Sequence, residues 1–218
     1  MLIVAQGDEI GRYPGLEDQM FQLRARAFSE RRGWRVEVQD GRERDRFDDL
    51  GPLYLCLLEA DRLLASLRLL PTLGPHMASD VFPEVLGPAK SVRHPLIWES
   101  SRFCVDTEAV RVFGRGGINI ATRLILSGLF GTAQDAGLEK IISVYDIGVE
   151  RILRRAGCRF SRLGPVVSYD GLDTVCGLFE VSDAVIRRLS TAGDPTTCDR
   201  QRSARSTRMS GAATGRSA

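Results

Sequence analysis

The sequence predicts an α/β protein built as a three-layer sandwich around a mixed, mostly antiparallel sheet. Two observations carry this reading. Apolar segments of strand character recur along the chain, and stretches of helical periodicity separate them. Their order is strand, helix, hairpin, central strand, glycine-led helix, strand, helix, strand pair and helix. The 218 residues suffice for one domain with a full core, and 43% hydrophobic against 27% charged residues is an ordinary globular composition.

Residues 2–5, Leu-Ile-Val-Ala, read as the first strand. Over 16–31, Leu16, Met20, Leu23 and Ala27 recur at i, i+4, i+7 and i+11 and make the core face of a helix. Arg24 and Phe28, also four apart, rise side by side from its flank. Gly33 ends the helix and Trp34 follows it. Residues 39–49 are dense in charge and read as a solvated loop, with Asp45 and Asp48 placed around an anchoring Phe47. Strands over 53–59 and 63–70 form a hairpin that turns at Ala60-Asp61. Alternation puts Leu63, Ala65, Leu67 and Leu69 on one face and Leu64, Ser66, Arg68 and Leu70 on the other. Arg68 is thus a lone guanidinium in an apolar strand and needs an anionic partner. After Pro71 a looser stretch runs to Pro95, with a helical turn over 79–86 that carries Phe82.

The stretch Trp98-Glu99-Ser100-Ser101-Arg102-Phe103-Cys104-Val105-Asp106 is the central strand. Ile97, Trp98, Phe103 and Val105 frame a carboxylate, two hydroxyls and a guanidinium, which in a buried strand must be paired. A structural ion pair, or an edge strand, would account for it equally well at this level. In a regular strand Glu99 and Arg102 point to opposite faces, so bringing both to one site requires a β-bulge near Ser100-Ser101.

Gly114-Arg115-Gly116-Gly117 then leads a helix over 118–134. Such a cluster is a simple turn, or a place where backbone N–H groups meet phosphate or carbonyl oxygens. A strand over 140–144, a helix over 148–156, a strand pair over 161–169 and 174–181, and a helix over 182–189 complete the fold. Arg151, Arg154 and Arg155, with Arg159 and Arg162, form a basic surface, either a solvated helix face or a docking site for an acidic protein.

The net charge is +2, of which residues 191–218, with five arginines against Asp194 and Asp199, carry +3 and residues 1–190 carry −1. The preceding part is slightly acidic, which argues against nucleic-acid binding by the folded domain. This Arg-, Ser-, Thr- and Gly-rich tail has no apolar periodicity and is expected to be disordered, leaving 1–190 as a single domain. The five cysteines are scattered without a CxxC pair, as small core residues in a reducing compartment are. His76 and His94 make no metal-spaced cluster. The apolar run at the N-terminus is too short for a signal peptide, and none approaches the ~20 residues that span a bilayer. A cytoplasmic protein with no metal or bound cofactor is expected.

Arg24, Phe28, Trp34, Asp45, Asp48, Arg68, Phe82 and the run Glu99-Ser100-Ser101-Arg102 resemble, in order, type and spacing, the acyl-homoserine lactone synthases, or autoinducer synthases. Ser143-Val144 and Ile152-Leu153-Arg154-Arg155-Ala156-Gly157 are similar to the same family, so the likeness spans most of the chain. It implies a fold similar to GNAT-type N-acetyltransferases. It also implies two substrates, S-adenosylmethionine and an acyl chain on acyl carrier protein. The methionyl amine is acylated, the lactone then closes, and methylthioadenosine leaves. By this resemblance Glu99, Arg102, Arg68, Asp45 and Asp48 are the catalytic candidates. Arg24, Phe28 and Trp34 are assigned to S-adenosylmethionine, and Phe82, Ser101, Phe103 and Ser143 to the acyl pocket. Arg151, Arg154 and Arg155 are the candidates for carrier-protein docking.

Two other readings fit parts of the sequence. Arg111-Val112-Phe113-Gly114-Arg115-Gly116 has the spacing of a pyrophosphate loop, as a coenzyme A-dependent N-acyltransferase of another amine would have. That reading leaves Arg24, Trp34, Asp45 and Asp48 without a task. A non-catalytic sensor of S-adenosylmethionine or lipid would keep the pocket and form no product.

Overall fold

The computed structural model describes residues 1–114 and 116–191. Strand β1 (Leu2–Gln6) precedes helix α1 (Leu16–Arg24), which continues as a π-helical segment, Ala25–Glu30. Gly33, at φ 69°, turns the chain out of that segment, and the Trp34 N–H donates back to the Phe28 carbonyl. The charged run expected to be a solvated loop is instead folded. It forms a short hairpin, β2 (Val38–Gln39) and β3 (Arg42–Glu43), and a 3-10 turn over Arg46–Leu50. Asp45 caps that turn: its side chain accepts from the Phe47 N–H, and the Asp48 side chain accepts from the Asp45 N–H.

The hairpin of β4 (Leu53–Glu59) and β5 (Arg62–Pro71) is present as expected, with one correction. The register shifts between Leu57 and Leu58, leaving Leu64 as an extra residue on β5. Leu63 therefore packs on the α1 side while Leu64 joins Ala65, Leu67 and Leu69 on the opposite face. Helix α2 (Met77–Asp80) is one turn long and is followed by 3-10 structure over Pro83–Ala89. Then come β6 (Ile97–Val105), α3 (Gly117–Asp135), β7 (Lys140–Asp146) and α4 (Ile147–Ala156). The strand expected over 161–169 is two short ones, β8 (Phe160–Arg162) and β9 (Val167–Tyr169), both paired with β10 (Leu172–Glu180). Pro165 cannot donate to a ladder. Gly164 lies so close to the Val85–Gly87 backbone that a Cβ would stand 2.5 Å from the Gly87 nitrogen. Helix α5 (Asp183–Thr191) ends the described chain; beyond Thr191 the expected tail lies outside the described residues.

The main sheet runs β1-β4-β5-β6-β7-β10-β8, with β9 also on β10. Its described neighbours are antiparallel except β6 and β7, which run parallel. Helices α3, α4 and α5 bury one face, and α1 with the α2 region buries the other. This is the mixed three-layer sandwich read from the sequence. Strands β6 and β7 pair only at Ile97–Lys140, Trp98–Ile141 and Glu99–Ile142. Beyond Glu99 they part, and the gap opens the sheet from one face to the other.

Candidate active site

A cavity of about 450 Å³ occupies that gap. Its polar half lies on the α1 face, under Phe28, Trp34 and Phe82, and is floored by Glu43, Asp45, Glu99, Ser101 and Arg102. Its apolar half lies on the α3 face, among Leu126, Leu129 and Phe130 of α3, Val149 and Leu153 of α4, and Phe179 of β10. Ser143 and Tyr145 on β7 complete that half.

The bulge in β6 exists, just after the expected place. Ser66 pairs with Cys104 but Arg68 pairs with Ser101, so Arg102 and Phe103 together oppose Leu67. Arg102 takes the extra turn at φ 54°, a left-handed conformation that costs a non-glycine residue roughly 1–3 kcal/mol. Both Glu99 and Arg102 consequently reach the cavity.

Around them sits an ion network of three guanidiniums and three carboxylates. Arg24 holds Asp48 with a two-pronged pair at 2.8 Å each and Glu43 through Nε at 2.5 Å. Arg68 meets Asp45 at 2.5 Å and Asp48 at 2.7 Å, and donates to Ser101 Oγ. Arg102 reaches Glu43 at 2.8 Å and Asp45 at 2.6 Å. The Tyr54 hydroxyl donates to Asp48 as well. Burial alone would raise the Asp48 carboxyl, but hydrogen bonds and charge from Arg24, with the charge of Arg68, outweigh it and hold it well below the usual range. Burial works against charge on Arg24 too, and Asp48 and Glu43 overcome it, so Arg24 stays protonated.

Glu99 stands apart from this balanced set. It is 1% exposed, and its two oxygens accept the N–H groups of Met77 (2.8 Å) and Ala78 (2.6 Å) at the start of α2. Burial pushes its carboxyl above the ordinary glutamate range, against the pull of those N–H groups, His76 and Arg68. The network being self-neutralising, the floor adds one further carboxyl group, Glu99, beneath aromatic faces. A cationic ligand suits such a place.

Residues 11–189 match the sequence model of the autoinducer synthases. The chain belongs to the autoinducer synthase family. A probable acyl-homoserine-lactone synthase of Sinorhizobium fredii is 38% identical over 172 residues, 78% of this chain and 83% of that protein. The crystal structure of the acyl-homoserine lactone synthase LasI superposes with a TM-score of 0.78 at 29% identity, covering 90% of this chain and 97% of LasI. The coenzyme A-dependent synthase BjaI, solved with S-adenosylmethionine and isopentyl-CoA, gives 0.77 at 27% identity over 87% of each chain. A putative N-acetyltransferase from Lactobacillus plantarum, at 17% identity and a TM-score of 0.55 over 84% of this chain and 98% of its own, shares the fold, as the GNAT likeness implied. Family membership makes this chain an enzyme, an acyltransferase of autoinducer synthesis, and sets aside the non-catalytic sensor.

Most residues singled out in the synthase sequence converge on the cavity, with corrections. Arg24 was expected beside Phe28 on the ligand side. Instead it faces Phe21, Glu43 and Asp48 at 1% exposure, because the helix changes to π winding after it, and Phe28 alone meets Arg102, 5.2 Å from its ring. Arg68 and Asp48 are likewise behind the wall, committed to the network. Phe82 and Ser101, assigned to the acyl chain, line the polar half, where Phe82 meets Trp34 edge-on at 5.7 Å. Phe103 and Ser143 border the apolar half. Glu43 was missed. It is 1% exposed between Arg24 and Arg102, and the signal was available: it shares the charged run with Asp45 and Asp48, and two buried arginines need a further carboxylate. The apolar wall was missed because its residues read as ordinary core.

Arg151, Arg154 and Arg155 share the exposed side of α4, around a shallow surface depression. Arg154 and Arg162 are both pinned to Glu150 at 2.7 Å. Among the described residues, no helix is long and apolar enough to cross a membrane, and no group of three or more His, Cys, Asp and Glu is placed to hold a metal.

Proposed function

We propose that this synthase makes an N-acyl-L-homoserine lactone from S-adenosylmethionine and an acyl chain on acyl carrier protein. One observation carries the reading. The parted strands join a polar, aromatic chamber to an apolar one, with the Glu99 carboxyl at the join. A cationic sulfonium substrate matches the first chamber and an acyl chain the second.

A methionyl α-amine with a pKa of about 7.7–8.0 is only roughly a tenth to a fifth neutral at pH 7. Glu99, directly or through a water, takes the ammonium proton. The freed nitrogen attacks the thioester carbonyl, the carbon–sulfur bond breaks, and the carrier leaves as a thiol. Past Glu99 the β6 backbone lacks a β7 partner, and its N–H groups are candidates to receive the oxyanion. A methionyl carboxylate oxygen then attacks its own γ-carbon, the sulfonium bond breaks, and neutral methylthioadenosine departs. The leaving group is already good, so the enzyme's part in this step is to fold the substrate. Arg102, the network arginine on the cavity wall, holds the carboxylate. Phe28 and Trp34 flank the adenosyl group and sulfonium. Arg24, Arg68, Asp45 and Asp48 brace this floor from behind. The exposed arginines of α4 receive the acidic carrier. The reading places the enzyme in the cytoplasm, in keeping with buried free thiols at Cys56, Cys104, Cys158 and Cys176.

A coenzyme A thioester is the second reading for the donor, favoured by the similarity to BjaI. Mass spectrometry of reactions with S-adenosylmethionine and matched carrier-protein and coenzyme A thioesters tests both. Acyl-homoserine lactone with equimolar methylthioadenosine from the carrier thioester is expected. Turnover from coenzyme A thioesters alone moves the assignment to the second donor, and no lactone from either overturns the reading.

A further inference from the structure

Glu99 has both oxygens on two backbone N–H groups of a helix only one turn long, and such a turn has little stability of its own. What fixes it is His76, the residue just before it, whose side chain is fully buried. Its Nδ1 lies 2.9 Å from the Gly74 carbonyl oxygen, and its Nε2 lies 2.8 Å from Ser79 Oγ. The Val92 N–H donates to the same Ser79 oxygen at 3.1 Å. These partners set the protons. A carbonyl only accepts, so Nδ1 carries the hydrogen, and in the neutral ring Nε2 accepts from the Ser79 hydroxyl. Arg93 donates to the Leu73 and Gly74 carbonyls and tightens the same loop. Both ring nitrogens are thereby used, and the Leu73-Gly74 loop and the Val92-Arg93 segment are tied to the turn that presents Met77 and Ala78 to Glu99.

We infer that His76 and Ser79 are positioning residues for Glu99, acting through the first turn of α2. The inference rests on Glu99 being the base. The N–H pair favours the charged carboxylate, and burial opposes it. The charged or titratable groups that face Glu99 are His76 from the loop before α2, Arg68 on β5 and Cys176 on β10. Of these, only His76 belongs to the brace. If the turn loosens, the carboxylate loses both of these backbone donors. It then binds its proton more tightly, and the base is ionised only at higher pH.

The test is the pH profile of kcat/KM for lactone formation by the full-length enzyme, using whichever thioester it turns over. Ser79→Ala and His76→Phe should each move the acid limb upward by about one pH unit, the scale of a lost donor to a carboxylate. KM for S-adenosylmethionine should stay within about twofold, and the rate should recover at high pH. Ser79→Thr, which keeps the hydroxyl, should behave as the parent. Should His76→Phe fail to fold, Ser79→Ala carries the test. A folded Ser79→Ala enzyme with an unmoved acid limb, or a loss equal at every pH, overturns the inference. Glu99→Gln separates the two claims. If it is inactive while Ser79→Ala is unshifted, only the positioning role falls, and if it keeps the parent rate both fall.

Discussion

The two halves of the cavity are built on opposite principles from adjacent stretches of the same sheet. On the α1 face nearly every polar atom has a partner, and the shape of the floor is fixed by ion pairs at 2.5–2.8 Å. On the α3 face the wall is side-chain carbon, and its shape is fixed by what is left out. Gly177, on β10 opposite Ser143, is the plainest case: a Cβ there would stand 2.5 Å from Tyr145 Oη and 2.8 Å from Phe179 Cε2. The polar half therefore tolerates little change of charge, and the apolar half little change of volume.

The largest effect should come from breaking the polar side. Glu43→Ala leaves Arg24 and Arg102 facing each other with a buried carboxylate removed, which costs about 3–5 kcal/mol. A melting temperature lowered by roughly 6–20 °C is expected in a scanning calorimeter. An unchanged melt would mean that the network is not holding the floor. The same side governs acid sensitivity. Asp48 titrates lower in the folded chain than in the unfolded one, so the unfolded state binds the extra proton as pH falls. Its contribution is complete above the ordinary aspartate pKa of about 3.9 and is lost progressively below it. Melts between pH 6 and pH 3 should show the fall beginning near the bottom of that range.

The apolar side should answer to volume. Gly177→Ala forces the Tyr145 and Phe179 rings towards the cavity, so longer acyl chains should lose kcat/KM relative to short ones by about 10–200-fold. A uniform loss over all chain lengths would show that these rings do not bound the acyl chamber. The smallest effect belongs to Tyr145→Phe. The Tyr145 hydroxyl is buried with no hydrogen-bond partner among the described residues, so removing it should leave stability equal or higher by up to about 1 kcal/mol. A clear drop in melting temperature would reveal a partner for it.

The same contrast explains what could be read in the sequence. Charged groups within apolar strands are conspicuous, so Glu99, Arg102 and Arg68 stood out, and the forced β-bulge followed from the period-2 rule. The sandwich was legible from apolar periodicity, down to the hairpin of β4 and β5. Two things were not. The burial of Glu43 and Asp48 depends on a hairpin and a capped 3-10 turn whose polar composition imitates a solvated loop. The apolar wall is a gap between residues such as Leu126, Phe130 and Phe179, and local hydropathy does not distinguish a wall from a filled core.

One substrate should lie on each side of the parted strands. The most direct test is a crystal structure of the enzyme with methylthioadenosine and an acyl-homoserine lactone bound together. The adenosyl group should lie against Phe28 and Trp34, with the amide nitrogen within hydrogen-bonding reach of Glu99, directly or through one water. The acyl chain should pass Ser143 into the space between α3 and β7. Both groups on one face of the sheet, or an acyl chain running out along the surface, would contradict it.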